Sequence, residues 1–386
     1  MKIAGRYPLE VSQRFDIGFL GGGQLARMSI QAAQRMGLKC LSLDPDPTAP
    51  ASQIAQSVTG KLSDVERIAE VFAKCDRVTL ENEFILADKI VSACEIAGVD
   101  PGHLCPTLTS LRTIQDKLLQ RQALQHAGVP SPPAFSLESD VSSVIETLGF
   151  PMVLKVRFGG YDGKGTRIAR NAEELEALRP EWESGGWLAE KFVPFTRELA
   201  VMVYLSDHGT GCFPTMETVQ VDQVCDLVYP SGTDASAVAL AAIEAVDGAG
   251  LYGVELFELP DGSIQVNEIA PRPHNTGHYT LDWGGPSQFE QHVRLVMGWP
   301  VHSPFGQETC MANLLGRVPS GRHADAIPAA LAEPGLFFHW YGKVEAKPGR
   351  KMGHINAVGN DCVNRAIRAR EAFFNTWSAP IWDAPV

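Results

Sequence analysis

The sequence lacks long apolar segments and closely spaced pairs of cysteines. No run of apolar residues is long enough to cross a bilayer, and residues 1–16 are mixed polar without the apolar stretch of a secretion signal. The eight cysteines are scattered and form no Cys-x-x-Cys pair, which argues against a zinc site or a disulfide framework. We therefore predict a soluble protein of a reducing compartment, the cytoplasm.

The chain also lacks an excess of positive charge. Its formal net charge is −12 over 386 residues, so neither nucleic acid nor an anionic membrane is expected as its main partner. A phosphate site would therefore need a local cluster of basic residues. The length is too great for one hydrophobic core and predicts two or three domains.

Two common phosphate-binding motifs are missing from the sequence. It contains no Gly-x-x-x-x-Gly-Lys-Ser/Thr loop, and no His-Arg-Asp with Asp-Phe-Gly. Gly21-x-Gly23-x-x-Ala26, between a predicted strand and a helix and followed by Asp44, does satisfy the dinucleotide-binding fingerprint. Because any tight strand-to-helix turn favours such glycines, an NAD-linked oxidoreductase is one hypothesis and not a conclusion.

A lysine lies inside an apolar strand that leads into a glycine-rich loop. Residues 152–156 are apolar apart from Lys155, and four glycines lie between positions 159 and 165. A buried lysine is unfavourable unless an anion or a carboxylate receives its charge, and glycines let backbone amides approach phosphates. By itself, this stretch fits a phosphate site and a surface hairpin equally well.

Two glutamates lie in a predicted hairpin of otherwise apolar strands. Glu255 lies in residues 253–257, and Glu268 lies beside Asn267 in residues 263–269, with a Pro-Asp-Gly turn between the strands. Carboxylates with apolar neighbours need cations, and oxygen ligands suit Mg²⁺ held together with substrate phosphates. Exposure of both side chains at a sheet edge is the alternative interpretation.

Two further charged clusters are consistent with ordinary solvated surface. Glu81 and Glu83 follow a predicted strand at residues 77–80, and four basic residues lie between positions 343 and 351. Solvated surface accounts for most charge clusters of this kind.

The order of these motifs resembles the ATP-grasp superfamily and, within it, the family of 5-(carboxyamino)imidazole ribonucleotide synthetases. The resemblance covers nearly the whole chain after about residue 15, and rests on residues 21–25, 159–165, 270–278, 339–343 and 347–354. It implies an α/β chain with an α+β lid. The implied domains are a Rossmann-like preATP-grasp domain (1–110), an ATP-grasp domain (111–302, lid about 135–189) and a C-terminal domain binding the substrate phosphate (303–386).

The resemblance also implies an activity. ATP would phosphorylate bicarbonate to carboxyphosphate, which would carboxylate 5-aminoimidazole ribonucleotide in de novo purine biosynthesis, with ATP and Mg²⁺ as cofactors and a homodimer as the assembly. The implied metal ligands are Glu255 and Glu268, with Arg272 and Lys155 as further catalytic residues. The implied ATP contacts are Lys117, Lys155, Gly160, Tyr161, Asp162, Gly163, Lys164, Gly165, Thr166, Glu190, Lys191, Phe192, Val193, Glu198, Gln220, Asn267 and Glu268. The implied substrate contacts are Glu81, Tyr161, Asp162, Lys164, Arg272, His274, Asn275, Lys343, Arg350 and Lys351.

Three positions depart from the family pattern. Leu80 and residues 82–84 replace an aromatic residue and Phe-Glu-Asn, Gln220 stands where a histidine is usual, and Lys117 stands where many relatives have arginine. These changes concern fine contacts rather than the reaction class. A formate-dependent glycinamide ribonucleotide transformylase and a non-catalytic nucleotide-binding regulator are the remaining alternatives.

Overall fold

The N-terminal unit is a parallel sheet covered by helices. A computed structural model describes residues 14–138, 140–160 and 165–378 of the chain. Five parallel strands have the order β3-β2-β1-β4-β5. The elements are β1 (Phe15–Leu20), α1 (Gln24–Arg35), β2 (Cys40–Asp44), β3 (Gln56–Thr59), α2 (Val65–Lys74), β4 (Cys75–Leu80), α3 (Ala87–Ala97) and β5 (Leu104–Cys105). Apolar side chains of the strands and of α2 and α3 form the core. The ends of β1 and β4 lie side by side.

Two helices connect this sheet to the rest of the chain, where helical spacing predicts one continuous helix over residues 111–126. That prediction is wrong at Asp116. The structure has α4 (Leu108–Gln115) and α5 (Lys117–His126), and the Asp116 side chain caps α5 by accepting from the Leu118 N–H at 3.0 Å. Asp116 also binds the Arg157 guanidinium at 2.5 and 3.0 Å. The break therefore places Lys117 at the first position of a helix.

The strands on either side of the glycine-rich loop belong to a small antiparallel sheet with its own core. Its strands have the order β6-β9-β7-β8. The elements are β6 (Ala134–Ser136), α6 (Val141–Leu148), β7 (Met152–Val156), β8 (Thr166–Ala169), α7 (Ala172–Ala177), α8 (Arg179–Trp182) and β9 (Trp187–Lys191). Leu154, Trp182 and Trp187 pack in this separate core. The unit covers the range of the predicted lid, about residues 135–189, and its role as a lid stays a prediction.

A nine-stranded sheet forms the body of the molecule, with the order β15-β14-β10-β12-β13-β16-β18-β17 and β11 beside β10. The elements are β10 (Arg197–Ser206), β11 (Gly209–Cys212), β12 (Met216–Val221), β13 (Val224–Pro230), α9 (Ser236–Ala245), β14 (Gly250–Glu258), β15 (Ile264–Ala270), α10 (Gln288–Val296), β16 (Thr309–Leu315), α11 (His323–Ala330), β17 (Leu336–Trp340), β18 (Lys351–Val358) and α12 (Cys362–Trp377). β13 pairs with β16, so one sheet crosses the predicted boundary at residue 303. Among the described residues, no helix is long and apolar enough to span a membrane.

Candidate functional site

The two glutamates of the predicted hairpin face each other across neighbouring strands. Glu255 on β14 is the direct antiparallel partner of Glu268 on β15, so both side chains lie on the same face of the sheet. Their side chains keep 31% and 37% of their exposure, which leaves the carboxylates within reach of a ligand. Burial of the carboxyl group and the negative charges of Glu268 and Glu198 raise the pKa of Glu255 to about 7. The positive charges of Lys351 and Lys117 oppose this shift but do not cancel it.

Two lysines lie on the other side of this pair. Lys117 forms an ion pair with Glu268, while the Lys155 Nζ lies 2.8 Å from a Glu190 oxygen and 3.4 Å from the Asn267 Oδ1. Burial would raise the pKa of Glu268, but the positive charges of Lys117 and Lys155 outweigh it and lower this pKa. The two glutamates therefore have pKa values shifted in opposite directions.

Arg121 is a buried residue of the site that the sequence motifs do not indicate. Its guanidinium lies 2.7 Å from the Glu190 carboxylate, and it donates to the backbone carbonyls of Val266 (3.2 Å) and Asn267 (2.6 Å). It thereby joins Glu190 to the strand that carries Glu268. Its position four residues after Lys117, on the same helix face, is the signal that could have identified it.

Replacing Glu190 with glutamine is expected to destabilise the protein, because Arg121 and Lys155 would lose their buried carboxylate. Burial would raise the pKa of Glu190, but Arg121 and Lys155 lower it from 4.5 to about 2. A pKa lowered in the folded state gives stability above the unfolded pKa, and that stability is lost as pH falls toward the folded pKa. The expected loss is about 3 kcal/mol at about pH 7, and about 1 kcal/mol less at about pH 4.

Urea unfolding of the nucleotide-free protein at both pH values measures this difference. The matched control is Glu181→Gln, because Glu181 pairs with Arg167 at the surface, where an ion pair contributes little. An equal stability of Glu190→Gln and wild type at about pH 7 would contradict the assignment.

The ends of the glycine-rich loop are held beside Lys155. Thr166 on β8 is the direct partner of Lys155 on β7. Gly165 has a φ of +80°, and a Cβ there would lie 2.4 Å from the Val156 Cγ2, so both the backbone and the space favour glycine. Tyr161, Asp162, Gly163 and Lys164 lie outside the described residues, and their contacts stay predictions.

The connection after β9 leads to a pair of stacked aromatic rings. Phe195 stacks on Phe257 with 4.4 Å between ring centroids, and Glu198 is the direct partner of Phe257 across β10 and β14. Burial raises the pKa of Glu198, which Gln220 partly offsets through a hydrogen bond. Glu198 and Gln220 are therefore in contact, beside an apolar surface that an aromatic base could extend.

Arg272 lies between the Glu255–Glu268 pair and the N-terminal sheet. Its guanidinium forms a two-point ion pair with Glu83, at 2.5 and 3.0 Å, and both side chains are mostly buried. Burial raises the pKa of the neighbouring Glu81, although the Arg272 charge opposes this shift. The His274 Nε2 lies 3.6 Å from a Glu255 oxygen. One cleft thus contains Glu81, Arg272, His274 and Glu255.

The glycine turn after β1 packs against this cleft. A Cβ at Gly23 would lie 2.2 Å from the Glu81 Oε1, and one at Gly21 would lie 2.6 Å from the Glu81 Cβ. Gly22 donates its N–H to the Asp44 carboxylate at 2.8 Å. These contacts with Glu81 and Asp44 account for the glycines of the fingerprint without a dinucleotide.

The basic segment near the C-terminus contributes two inward-facing lysines. Lys343 donates to the Lys351 carbonyl at 2.6 Å, and its charge acts to lower the pKa of Glu81, as Lys351 does for Glu255. Arg350 is exposed and donates to the Glu345 carbonyl at 3.1 Å. Lys343 and Lys351 therefore lie near the cleft, with Arg350 on the surface.

Asn275 has a buried amide partner in the C-terminal unit. Its amide and that of Asn313 donate to each other at 3.2 and 2.7 Å, and the Asn313 amide also donates to the Cys225 carbonyl. These bonds occupy part of the hydrogen-bonding capacity of Asn275. Its substrate contact stays a prediction.

Three family models match successive parts of the chain. The ribonucleotide synthetase preATP-grasp domain matches residues 15–115, and the ATP-grasp domain matches residues 122–289. The phosphoribosylaminoimidazole carboxylase C-terminal domain matches residues 309–368. The fold class predicted from the sequence is confirmed.

Known proteins match the chain over most of its length. The N5-carboxyaminoimidazole ribonucleotide synthase of Synechococcus elongatus is 39% identical over 378 residues, which are 94% of each chain. The phosphoribosylaminoimidazole carboxylase of Schizosaccharomyces pombe is 36% identical over 91% of this chain, which spans about two thirds (66%) of that longer relative. A solved N5-carboxyaminoimidazole synthase from Aspergillus clavatus, in complex with ADP and 5-aminoimidazole ribonucleotide, has a TM-score of 0.83 at 31% identity, covering 94% of this chain and 99% of that chain.

Proposed function

The chain belongs to the N5-carboxyaminoimidazole ribonucleotide synthase family of ATP-grasp enzymes, and we propose how its residues carry out this ATP-dependent carboxylation. The acceptor is 5-aminoimidazole ribonucleotide, the carboxyl donor is bicarbonate, and the products are the carboxyamino nucleotide, ADP and phosphate. The observation that carries the proposal is the facing pair Glu255 and Glu268, with two lysines on one side and the Arg272–Glu83 ion pair nearby. This arrangement joins a site for phosphates to a site for an oxyanion.

Glu255 and Glu268 would hold Mg²⁺. Both groups are oxygen donors, and the raised pKa of Glu255 indicates a carboxylate that a cation would stabilise. In the described ranges no cluster of three or more metal-binding side chains is present, so phosphates and water would complete the coordination. When bound, Mg²⁺ would neutralise negative charge on the phosphates.

Lys117 and Lys155 would bind the phosphates of ATP. In the structure both lysines are paired with carboxylates, Lys117 with Glu268 and Lys155 with Glu190. Phosphate oxygens can take the place of those carboxylate contacts, and phosphoryl transfer depends on such alignment and charge neutralisation. Glu198 with Gln220 would bind the ribose, and the backbone of the connection 190–193 would bind the adenine edge.

Arg272 would hold bicarbonate and the carboxyphosphate formed from it. A guanidinium offers two parallel donors to a planar oxyanion. The ion pair with Glu83 fixes the orientation of the Arg272 guanidinium. The amine nitrogen of the acceptor then forms the C–N bond, phosphate leaves the same carbon, and the nitrogen gives up a proton. Glu81, His274, Lys343 and Lys351 would contact the acceptor nucleotide.

The glycine-rich loop would exclude water from carboxyphosphate, which hydrolyses readily. Support comes from its attachment, since β7 and β8 of the lid end beside Lys155. Closure of a lid is the usual way to protect a labile intermediate. The roles of Tyr161, Asp162 and Lys164 toward the acceptor stay predictions.

ADP release with each candidate substrate tests the proposed function. We expect ADP when aminoimidazole ribonucleotide, bicarbonate and Mg²⁺ are all present. A requirement for formate and glycinamide ribonucleotide would contradict the proposal, as would tight binding of NADH without binding of ATP.

We further propose a homodimer that works in the cytoplasm. The resemblance to the family supports the dimer, and eight cysteines without disulfide bonds in the described part of the chain support a reducing compartment. Sedimentation velocity tests the assembly: a single species of twice the 41.9 kDa chain mass is expected, and a monomer at all concentrations would contradict it.

A further inference from the structure

Gln288 is a buried residue at the start of α10 whose side chain holds the backbone of His274. Its Oε1 accepts from the His274 N–H at 2.9 Å, and its Nε2 donates to the His274 carbonyl at 2.8 Å. The side chain has no exposure to solvent. A single amide therefore binds both polar groups of one backbone unit.

These two contacts fix the orientation of the amide. A backbone N–H can only donate and a carbonyl can only accept, so the oxygen and the nitrogen of Gln288 cannot be exchanged. The second Nε2 hydrogen then points to the His278 Nδ1, 2.9 Å away, which must accept it. This contact assigns the neutral tautomer of His278 with its proton on Nε2, a buried atom that has no hydrogen-bond partner among the described residues. Burial, which lowers the pKa of His278 well below its usual value, agrees with this state.

The segment that Gln288 holds is packed closely around the amide. A Cβ at Gly277 would lie 2.5 Å from the Gln288 Oε1, so glycine is required there for the approach. The Gln288 N–H donates to the Thr280 Oγ1 at 2.9 Å, and the same hydroxyl donates to the Gly277 carbonyl at 2.6 Å. The backbone from His274 to Thr280 is thereby fixed to the start of α10.

This fixed segment carries the His274 ring into the cleft. The ring Nδ1 lies 2.9 Å from the Thr276 Oγ1, and its Nε2 lies 3.6 Å from Glu255. On the other side of Gln288, the His278 ring packs 5.2 Å from the His354 ring. The His354 Nδ1 lies 2.8 Å from the Tyr341 hydroxyl, beneath Lys343. One buried layer thus connects His274 with the segment of Lys343.

We propose that Gln288 is a positioning residue for the acceptor nucleotide, acting through the backbone of His274 and the fixed tautomer of His278. This inference rests on the proposed acceptor role of His274. Gln288 contacts neither Lys117 nor Lys155, so we expect its main effect on the carboxylation half of the reaction. Misplacement of the acceptor would leave carboxyphosphate to hydrolyse, because reaction rates fall steeply when reacting groups lose alignment.

A matched pair of variants tests this role. Gln288→Met keeps the size of the side chain and removes its hydrogen bonds. Gln291→Met, one turn further along α10, is the control, because Gln291 is equally buried but donates to the His302 carbonyl away from the cleft. For Gln288→Met we expect the KM for aminoimidazole ribonucleotide to rise about tenfold, and more than one ADP per carboxylated product, with the KM for ATP unchanged.

The control variant should keep one ADP per product. If Gln288→Met also keeps that ratio and the wild-type KM for the acceptor, the inference is wrong while the proposed function stands. Absence of carboxylation by the wild-type enzyme would instead refute the function. If Gln288→Met fails to fold, Gln288→Glu replaces it, since glutamate keeps the acceptor for the His274 N–H and loses both donors.

Nitrogen-15 spectra of histidine-labelled protein should show the His278 Nδ1 unprotonated in wild type only, and a protonated Nδ1 in wild type would overturn the tautomer assignment.

Discussion

Glu268→Gln should abolish ATP turnover, with kcat lowered by at least about a thousandfold, while the protein keeps its fold. The variant loses a proposed Mg²⁺ ligand and the carboxylate that holds Lys117. Both losses remove stabilisation of the charge that develops in the transition state of phosphoryl transfer. Such stabilisation usually lowers the activation free energy by several kcal/mol. Steady-state ADP release measures the effect, and circular dichroism with thermal unfolding reports on the fold.

The same hairpin offers a control for Glu268→Gln. Glu258 on β14 is a partly buried carboxylate, and the Arg197 guanidinium binds it at 2.5 and 2.6 Å. Glu258→Gln should keep turnover within a few-fold of wild type, because this ion pair lies away from Lys117 and Lys155. Wild-type turnover by Glu268→Gln would refute the metal assignment.

Arg272→Lys is expected to lower carboxylation by about a hundredfold to a thousandfold without weakening the binding of ADP. Lysine keeps the positive charge but not the planar pair of donors, so an oxyanion and Glu83 would no longer be held in one plane. Product formation under saturating ATP measures the first effect, and calorimetric titration with ADP and Mg²⁺ measures the second.

A buried arginine elsewhere in the chain controls for the general effect of this substitution. Arg370 pairs with Asp226 at 2.6 Å, and its side chain is 16% exposed, against 14% for Arg272. Arg370→Lys should leave carboxylation unchanged. Full carboxylation by Arg272→Lys would show that the guanidinium geometry is not used, and the bicarbonate site would have to be assigned elsewhere.

The sequence pattern predicted the elements of the site better than their connections. Apolar runs located β14 and β15, and the apolar neighbours of Glu255 and Glu268 predicted that the two carboxylates share a cation. Their direct pairing depends on a register shift between Glu255 and Leu256, which the sequence pattern does not show. The strand of Lys155 was equally clear, since a short apolar run bounded by glycines has few other interpretations. Local rules therefore locate the strands of the site but not the register between them.

Contacts between distant segments were not predictable in this way. Glu83 and Arg272 are 189 residues apart, and nothing in the acidic cluster at 81–83 indicates which arginine it meets. Gln288 and Arg121 were missed for a similar reason, since their roles depend on backbone groups that only the folded chain brings near. The break at Asp116 was missed because helical spacing continues through it, while the Arg157 ion pair that accompanies it comes from another element.

The resemblance to a family supplied what local patterns could not. From charge alone, the basic segment at 343–351 reads as solvated surface, and Arg350 does lie exposed. Lys343 and Lys351 instead act on the carboxylates of the cleft. The two lysines lie near the cleft because β18 pairs with β16 and β17, which places this segment against the site.

The fate of the bicarbonate oxygen tests the account most directly. If ATP phosphorylates bicarbonate, one oxygen of ¹⁸O-labelled bicarbonate must leave with the phosphate when the amine attacks the carboxyl carbon. We therefore expect ¹⁸O in the released phosphate, together with one carboxylated nucleotide per ADP, when the reaction is followed before the label exchanges with water. Phosphate that contains only unlabelled oxygen, formed alongside the carboxylated product, would contradict the proposed route through carboxyphosphate.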